Sequence, residues 1–231
     1  IVEPKPSSHR RIRNRELDWV AMLRGCVEND KSRQAQRASK RVPVNIETIE
    51  IPDVKIISPA KFGDHRGFFS ETYNRTKFEE NGLNLDFCQD NHSFSATVGT
   101  LRGLHFQIPP FAQDKLVRVT RGAILDVAVD IRHGSHTFGR WVSRVISAEA
   151  WNQILVPKGF AHGFCTIEPD TEVQYKVTAP FAPDHERGII WNDPALAIDW
   201  PLDGAEPTLS GKDTEYPTLA DSPVYFTHES G

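Results

Sequence analysis

The sequence predicts an all-β fold, an antiparallel sandwich or barrel of the jelly-roll type with a few short helices. Three observations carry that reading. From Val44 onward, short runs rich in β-branched and aromatic residues recur, separated by Gly, Pro, Asn and Asp. One of them, AILDVAVDI at 123–131, alternates strictly. It puts Leu125, Val127, Val129 and Ile131 on one side and Ile124, Asp126, Ala128 and Asp130 on the other. In this part of the chain only KFEENG, residues 77–82, reads as a helical turn. Many short strands punctuated this closely favour a closed or two-layered antiparallel fold.

Taken in order, VNIETIEI and VKIISP open the strand-rich part, and GFFSETY, TLRGLHFQ and KLVRVT follow. Arg121-Gly122 suggests a tight hairpin from KLVRVT into AILDVAVDI. WVSRVIS, QILVP, EVQYKVT and GIIW complete the set, and QDNHS at 89–93 reads as a loop. The last stretch, EYPTLADSPVYFTHESG, is broken by prolines and either wraps the barrel or hangs free. No internal repeat or low-complexity segment is visible.

Composition narrows the function classes. The 231 residues, 39% hydrophobic and 25% charged, suit one substantial core or two small ones. No apolar run approaches the roughly 20 residues of a membrane-crossing helix. The charged N-terminus lacks the apolar segment of a signal peptide. Cys26, Cys88 and Cys165 are odd in number and irregularly spaced, which suggests neither a disulfide framework nor a zinc knuckle, so a reducing cytoplasm is expected. The net charge of −4 is uneven: residues 1–43 hold eleven Lys/Arg against five acids, +6, which leaves −10 for the other 188. Such a basic arm could meet nucleic acid or an anionic surface. The plainer expectation is a poorly ordered extension with one short amphipathic helix on Trp19, Met22, Leu23, Cys26 and Val27, ahead of a single domain at 44–231. No nucleic-acid or membrane partner is assigned from it.

The chemistry concentrates in GTLRGLHFQIPP, residues 99–110. Strict alternation would set Arg102 and His105 on opposite faces, but Gly103 could host a bulge that re-aims one of them. A lone strand histidine is usually structural. With Gln107 on the same face, however, a wet cavity would justify the cost of inward polar groups. Further along, VPKGFAHGF places His162 after a Pro-Lys-Gly turn. The spacings G-x5-H and P-x-G-x-x-H resemble the two motifs of the cupin barrels. Where that pattern continues with a second histidine and a glutamate, this chain has Gln107 and then Phe111 or Ala112. The histidines left do not complete a three- or four-ligand metal site, so a cupin barrel whose metal has been lost is expected. Lys115 opens KLVRVT, and Tyr175 shares a face with Val173 and Val177, as a core residue or a pocket residue. Arg66 and Glu71 in DHRGFFSE read, in isolation, as a surface turn and an ion pair.

In order along the chain, DHRGFFSE, QDNHS, GTLRGLHFQ-PP, KLVRV, DVAVDIR, TFG-W, VPKGFAHGF, YK-T, WNDP and LSGKD resemble the dTDP-4-dehydrorhamnose 3,5-epimerases over roughly residues 46–213. His136 departs from the proline usual there, and LSGKD arrives about one residue late. The resemblance implies a dTDP-4-keto-6-deoxyhexose substrate, no cofactor, and most commonly a place in rhamnose synthesis. It further implies that His105 is the base, Asp213 its orienting carboxylate, Tyr175 the proton donor on the other face, and Lys115 the partner of the C4 oxygen. Arg66, Glu71, Gln89, Asn91, Arg102, His162, Glu186 and Lys212 fall on positions that contact substrate or nucleotide, with Arg102 and Lys212 suited to the diphosphate. A homodimer with strand exchange is implied, Arg66 and Glu71 serving the neighbour's site. Four rivals stay open: a single-carbon epimerase, a 3,4-ketoisomerase, a non-catalytic nucleotide-sugar binder and a metal-dependent cupin enzyme.

Overall fold

A computed structural model describes residues 44–228; the expected N-terminal extension with its helix lies outside the described residues. The larger of two sheets has the strand order β1 (Asn45–Thr48), β2 (Lys55–Ser58), β11 (Gln153–Val156), β7 (Lys115–Arg121), β13 (Thr171–Val177) and β5 (Gln89–Ser95). The smaller runs β10 (Trp141–Ser147), β8 (Ala123–Asp130), β12 (Phe160–Thr166), β6 (Leu101–Gln107) and β14 (Glu186–Gly188). Every ladder within the two sheets is antiparallel. Two further pairs stand apart: the hairpin β3 (Lys61–Asp64) with β4 (Gly67–Ser70), and β9 (Arg132–His133) with β15 (Phe226–Thr227). The all-β jelly-roll architecture that the sequence predicts is thus the one observed. No helix among the described residues is long and apolar enough to cross a membrane.

Between the sheets lies a core to which the larger contributes Val117, Val119, Ile154 and Val173, and the smaller Ile124, Ala128, Phe160 and Phe164. β8 is apolar on its other face as well, because residues 189–226 cover it. Val127 and Val129 pack there with Ile189, Leu196 and Trp200. The C-terminal stretch therefore wraps the barrel, with Tyr225 and Phe226 against Phe106 at ring distances of 5.7 and 6.1 Å. The outer face of the larger sheet is capped by helix α1 (Arg75–Glu80), whose Phe78 is buried against Ile57, Leu116 and Leu155. Burial of one such ring contributes on the order of 2–3 kcal/mol. The helix begins two residues earlier than the sequence pattern indicates, because the Asn74 side chain accepts from the Lys77 N–H at 3.2 Å and caps it.

Three local expectations are overturned. Arg121-Gly122 is not a hairpin: β7 pairs with β11 and β13, β8 with β10 and β12, so the chain crosses between sheets there. Gly122 suits that crossing at φ +76°, and a Cβ on it would lie 2.2 Å from the Thr171 hydroxyl. QDNHS is not a loop but part of β5, held by the complete β13–β5 ladder against the poor strand propensity of Asp and Asn. In place of GIIW, the strand is Glu186–Gly188; Ile189 turns into the core beneath the C-terminal wrap.

The Gly103 bulge is present. On β12 and β6, His162 pairs with His105 and Phe164 with Arg102, so Gly103 and Leu104 together oppose Gly163 alone. Gly103 takes φ +138°, and its Cα approaches Gly163 so closely that a Cβ would sit 2.5 Å from the Gly163 Cα. The extra residue turns Arg102 and His105 toward the same cavity.

Candidate active site

Between the sheets lies a cavity of about 600 Å³. Ten of the twelve residues singled out from the sequence line it: Gln89, Asn91, Arg102, His105, Lys115, His162, Tyr175, Glu186, Lys212 and Asp213. Arg66 and Glu71 are not among them. Arg66 sits at the exposed tip of the β3–β4 hairpin, where it pairs with Asp64, and Glu71 is ion-paired to Lys77 at 2.6 Å.

His105 stands on the smaller sheet. Its Nε2 meets Asp213 Oδ1 at 2.5 Å. Asp213 belongs to the 3₁₀ turn Gly211–Thr214, where Ser210 donates through its hydroxyl at 2.6 Å and its backbone N–H at 3.3 Å to the other carboxylate oxygen. This reciprocal cap fixes the carboxylate before the histidine meets it. Burial works to raise the Asp213 pKa, but the hydrogen bonds from His105 and Ser210 outweigh it and hold the group below the usual carboxylate value. For His105, burial is the largest influence and lowers its pKa; Asp213 opposes this, while Lys115 and Lys212 add to it. The imidazole is therefore neutral at neutral pH, with Nδ1 left to accept a proton.

Facing it on the larger sheet are Lys115 and Tyr175. Lys115 Nζ donates to the His105 carbonyl at 3.2 Å, keeping donors free for a ligand. Burial lowers its pKa to about 8, against the pull of Asp126 and Glu186. Tyr175, paired across the ladder with Val117 and Asn91, has its pKa raised by burial despite nearby Arg102.

The rim is polar. Arg102 donates to the Phe94 carbonyl at 3.1 Å. Lys212 is held by both Glu186 oxygens at 2.8 Å, and Gln89 reaches Asn91 at 2.7 Å. Deeper in, His162 Nε2 lies 2.9 Å from both oxygens of Asp126, and both residues are buried. Asp126 escaped the sequence reading, although an acid on the core-facing side of β8 was a usable signal.

The Nε2 atoms of His105 and His162 are each engaged by a carboxylate. Gln107 donates to the Phe111 and Pro180 carbonyls at 2.7 and 3.1 Å. Among the described residues, no cluster of three His, Cys, Asp or Glu is placed to hold an ion.

Residues 48–221 match the family model for dTDP-4-dehydrorhamnose 3,5-epimerase. The dTDP-4-dehydrorhamnose 3,5-epimerase of Sinorhizobium fredii is 52% identical over 182 residues, 79% of this chain and 93% of the relative. The Bacillus anthracis dTDP-4-dehydrorhamnose 3,5-epimerase structure with TDP and PPi bound superposes with a TM-score of 0.72 at 50% identity, covering 75% of this chain and 99% of that one. The Legionella pneumophila dTDP-6-deoxy-D-glucose-3,5-epimerase in complex with dTDP-4-keto-L-rhamnose gives 0.77 at 43% identity, covering 81% and 100%.

Proposed function

The chain belongs to the dTDP-4-dehydrorhamnose 3,5-epimerase family, and on that premise we propose how its own side chains divide the work of epimerisation. The reaction inverts C3 and C5 of dTDP-4-dehydro-6-deoxy-D-glucose to give dTDP-4-dehydro-L-rhamnose. Both carbons flank the C4 ketone, so each step is removal of an α proton, an enolate, and return of a proton from the other face. The observation that supports the assignment is that His105 stands on one sheet and Tyr175 and Lys115 on the other, all three lining one cavity.

His105 Nδ1 takes the proton, and Asp213 steadies the imidazolium through Nε2, as the acid of a serine-protease triad does. Lys115 stabilises the enolate oxygen with its positive charge. Tyr175 returns the proton. Arg102 and Lys212 offer the diphosphate its donors, Lys212 exchanging part of its pairing with Glu186 for phosphate. Gln89 and Asn91 meet the nucleotide, and His162, fixed by Asp126, meets the sugar. No step calls for a metal or organic cofactor.

We assign a homodimer. The β3–β4 hairpin carries Phe62, Phe68 and Phe69 at 48, 53 and 70% exposure, an apolar patch that suits burial against a second copy. On that face Arg66 and Glu71 would reach the partner's cavity. The unpaired Cys88 and Cys165 suit a cytoplasmic setting.

Two outcomes follow from the roles. kcat/KM should be bell-shaped in pH. Its acid limb, the protonation of His105, falls below the ordinary imidazole value, and its alkaline limb, the loss of the Lys115 charge, falls near pH 8. In Lys115→Arg the alkaline limb should vanish; its persistence near pH 8 would remove Lys115 from the assignment. Tyr175→Phe should keep proton loss while starving proton return. NMR in D2O should then show substrate deuteration outlasting epimerisation, with product formation down by about 10²-fold. A parallel fall of both would make Tyr175 a substrate-positioning group.

A further inference from the structure

His105 has a second neighbour from the segment that follows the turn carrying Asp213. Tyr216, three residues after Asp213, meets the imidazole nearly edge-on, with ring centroids 5.6 Å apart and planes inclined at 67°. The slot that admits the tyrosine is made by Gly188. In the β14–β6 ladder Gly188 stands opposite His105, and a Cβ on it would fall 2.5 Å from both Cδ2 and Cε2 of Tyr216. Any side chain at 188 would displace the ring from the histidine. His105 lines the cavity, whereas half-buried Tyr216 is not among its lining residues, so the tyrosine covers a flank of the imidazole that faces away from the substrate space.

We propose that Tyr216 is a positioning residue for His105: its ring, seated on Gly188, shuts water off from the far side of the imidazole and fixes the plane in which Nε2 meets Asp213. The functional half of this rests on the assignment of His105 as the base. An edge-to-face pair of this kind adds orientation that a shapeless apolar contact does not. Only Gly opposite His105 allows it.

The charged and titratable groups around the imidazole are Arg102 from its own strand β6, Asp213 and Lys212 from the turn, Lys115 from β7, Glu186 from β14, His162 with Asp126 from β12 and β8, and Tyr175 from β13. Tyr216 adds no charge to that set, because burial, with Glu186 and Asp213 nearby, pushes its hydroxyl up to about 12. It acts by exclusion. Burial is the largest influence on His105 and lowers its proton affinity, so removing the ring should raise it. Water admitted at the same time would screen Asp213 and act the other way, but burial ranks first among the influences on His105.

The test is an NMR pH titration of the His105 imidazole beside kcat/KM profiles, for wild type, Tyr216→Phe, Tyr216→Ala, Gly188→Ala and the double alanine variant. The His105 signal is identified by its loss in His105→Asn. Tyr216→Ala should raise the His105 pKa by on the order of 0.5–1 unit, a fraction of what full burial produces. The acid limb should move with it, lowering kcat/KM on that limb by about three- to tenfold. Tyr216→Phe should keep the wild-type titration. Gly188→Ala should mimic Tyr216→Ala, and adding Tyr216→Ala to it should change little more, since the Cβ no longer meets a ring. An unmoved His105 titration in Tyr216→Ala would overturn the proposal, as would a Phe variant shifted as far as the Ala variant, which would place the effect in the hydroxyl. If the titration moves and the acid limb does not, the packing role stands and the assignment of His105 as base fails.

Discussion

His105→Ala should lose about 10²–10⁴-fold in turnover, the range a positioned general base contributes, while binding dTDP nearly as tightly as the wild type. The asymmetry follows from where the imidazole sits. It lies between the sheets with Asp213, whereas Arg102, Gln89 and Asn91, the groups assigned to the nucleotide end, stand on β6 and β5 and do not lean on it. His162, the other histidine lining the cavity, is paired with Asp126 rather than Asp213. The substitution also leaves a buried carboxylate without its ring partner, at a cost of about 1–3 kcal/mol, although the Ser210 cap continues to satisfy one Asp213 oxygen. His105→Asn, which keeps a donor near Asp213, separates the two effects: it should recover stability and not turnover. Turnover within tenfold of wild type in either variant, measured on folded protein, would discard the base assignment.

Gly103→Ala should be the most damaging single-methyl change in the barrel. Its φ of +138° is one that a residue with a Cβ rarely adopts, and the added carbon would lie 2.5 Å from the Gly163 Cα and 3.0 Å from the His162 carbonyl. Both neighbours are backbone, so β6 and β12 must separate for it to fit. We expect a loss of about 3–5 kcal/mol in chemical unfolding, together with most of the activity, since the bulge is what turns Arg102 and His105 to one side. Gly82→Ala is the comparison. Gly82 also has positive φ, at +80°, but a Cβ there meets nothing within 4 Å, so only backbone strain of about 1 kcal/mol should appear. Equal losses in the two variants would mean that the Gly103–Gly163 approach does not constrain the strands.

The bulge was legible in the sequence because a glycine between two polar residues of a strand has few other uses. Alternation in AILDVAVDI was legible too, but not that both of its faces are covered, since the covering residues 189–226 have little periodicity of their own. The supposed hairpin at Gly122 shows the limit of local signals. A glycine with positive φ serves a tight turn and a sheet-to-sheet crossing alike, and only the pairing of β7 and β8 with other strands decides between them. QDNHS was missed because its polar residues belong to an edge strand whose inward side chains face a cavity rather than a core. Residue types and spacing singled out His105, Lys115 and Tyr175 one at a time. Their opposition across the cavity, the Asp126 behind His162 and the Tyr216 beside His105 depend on how distant strands meet, which spacing alone does not encode.

Double epimerisation in one cavity requires protons to leave and enter at two carbons of one sugar, and NMR of dTDP-4-dehydro-6-deoxy-D-glucose incubated with the protein in D2O tests this requirement. Deuterium should enter at both C3 and C5, with the product in the L-rhamno configuration. Deuterium at a single carbon, a ketone that has migrated, or no exchange while the nucleotide sugar still binds would each contradict it.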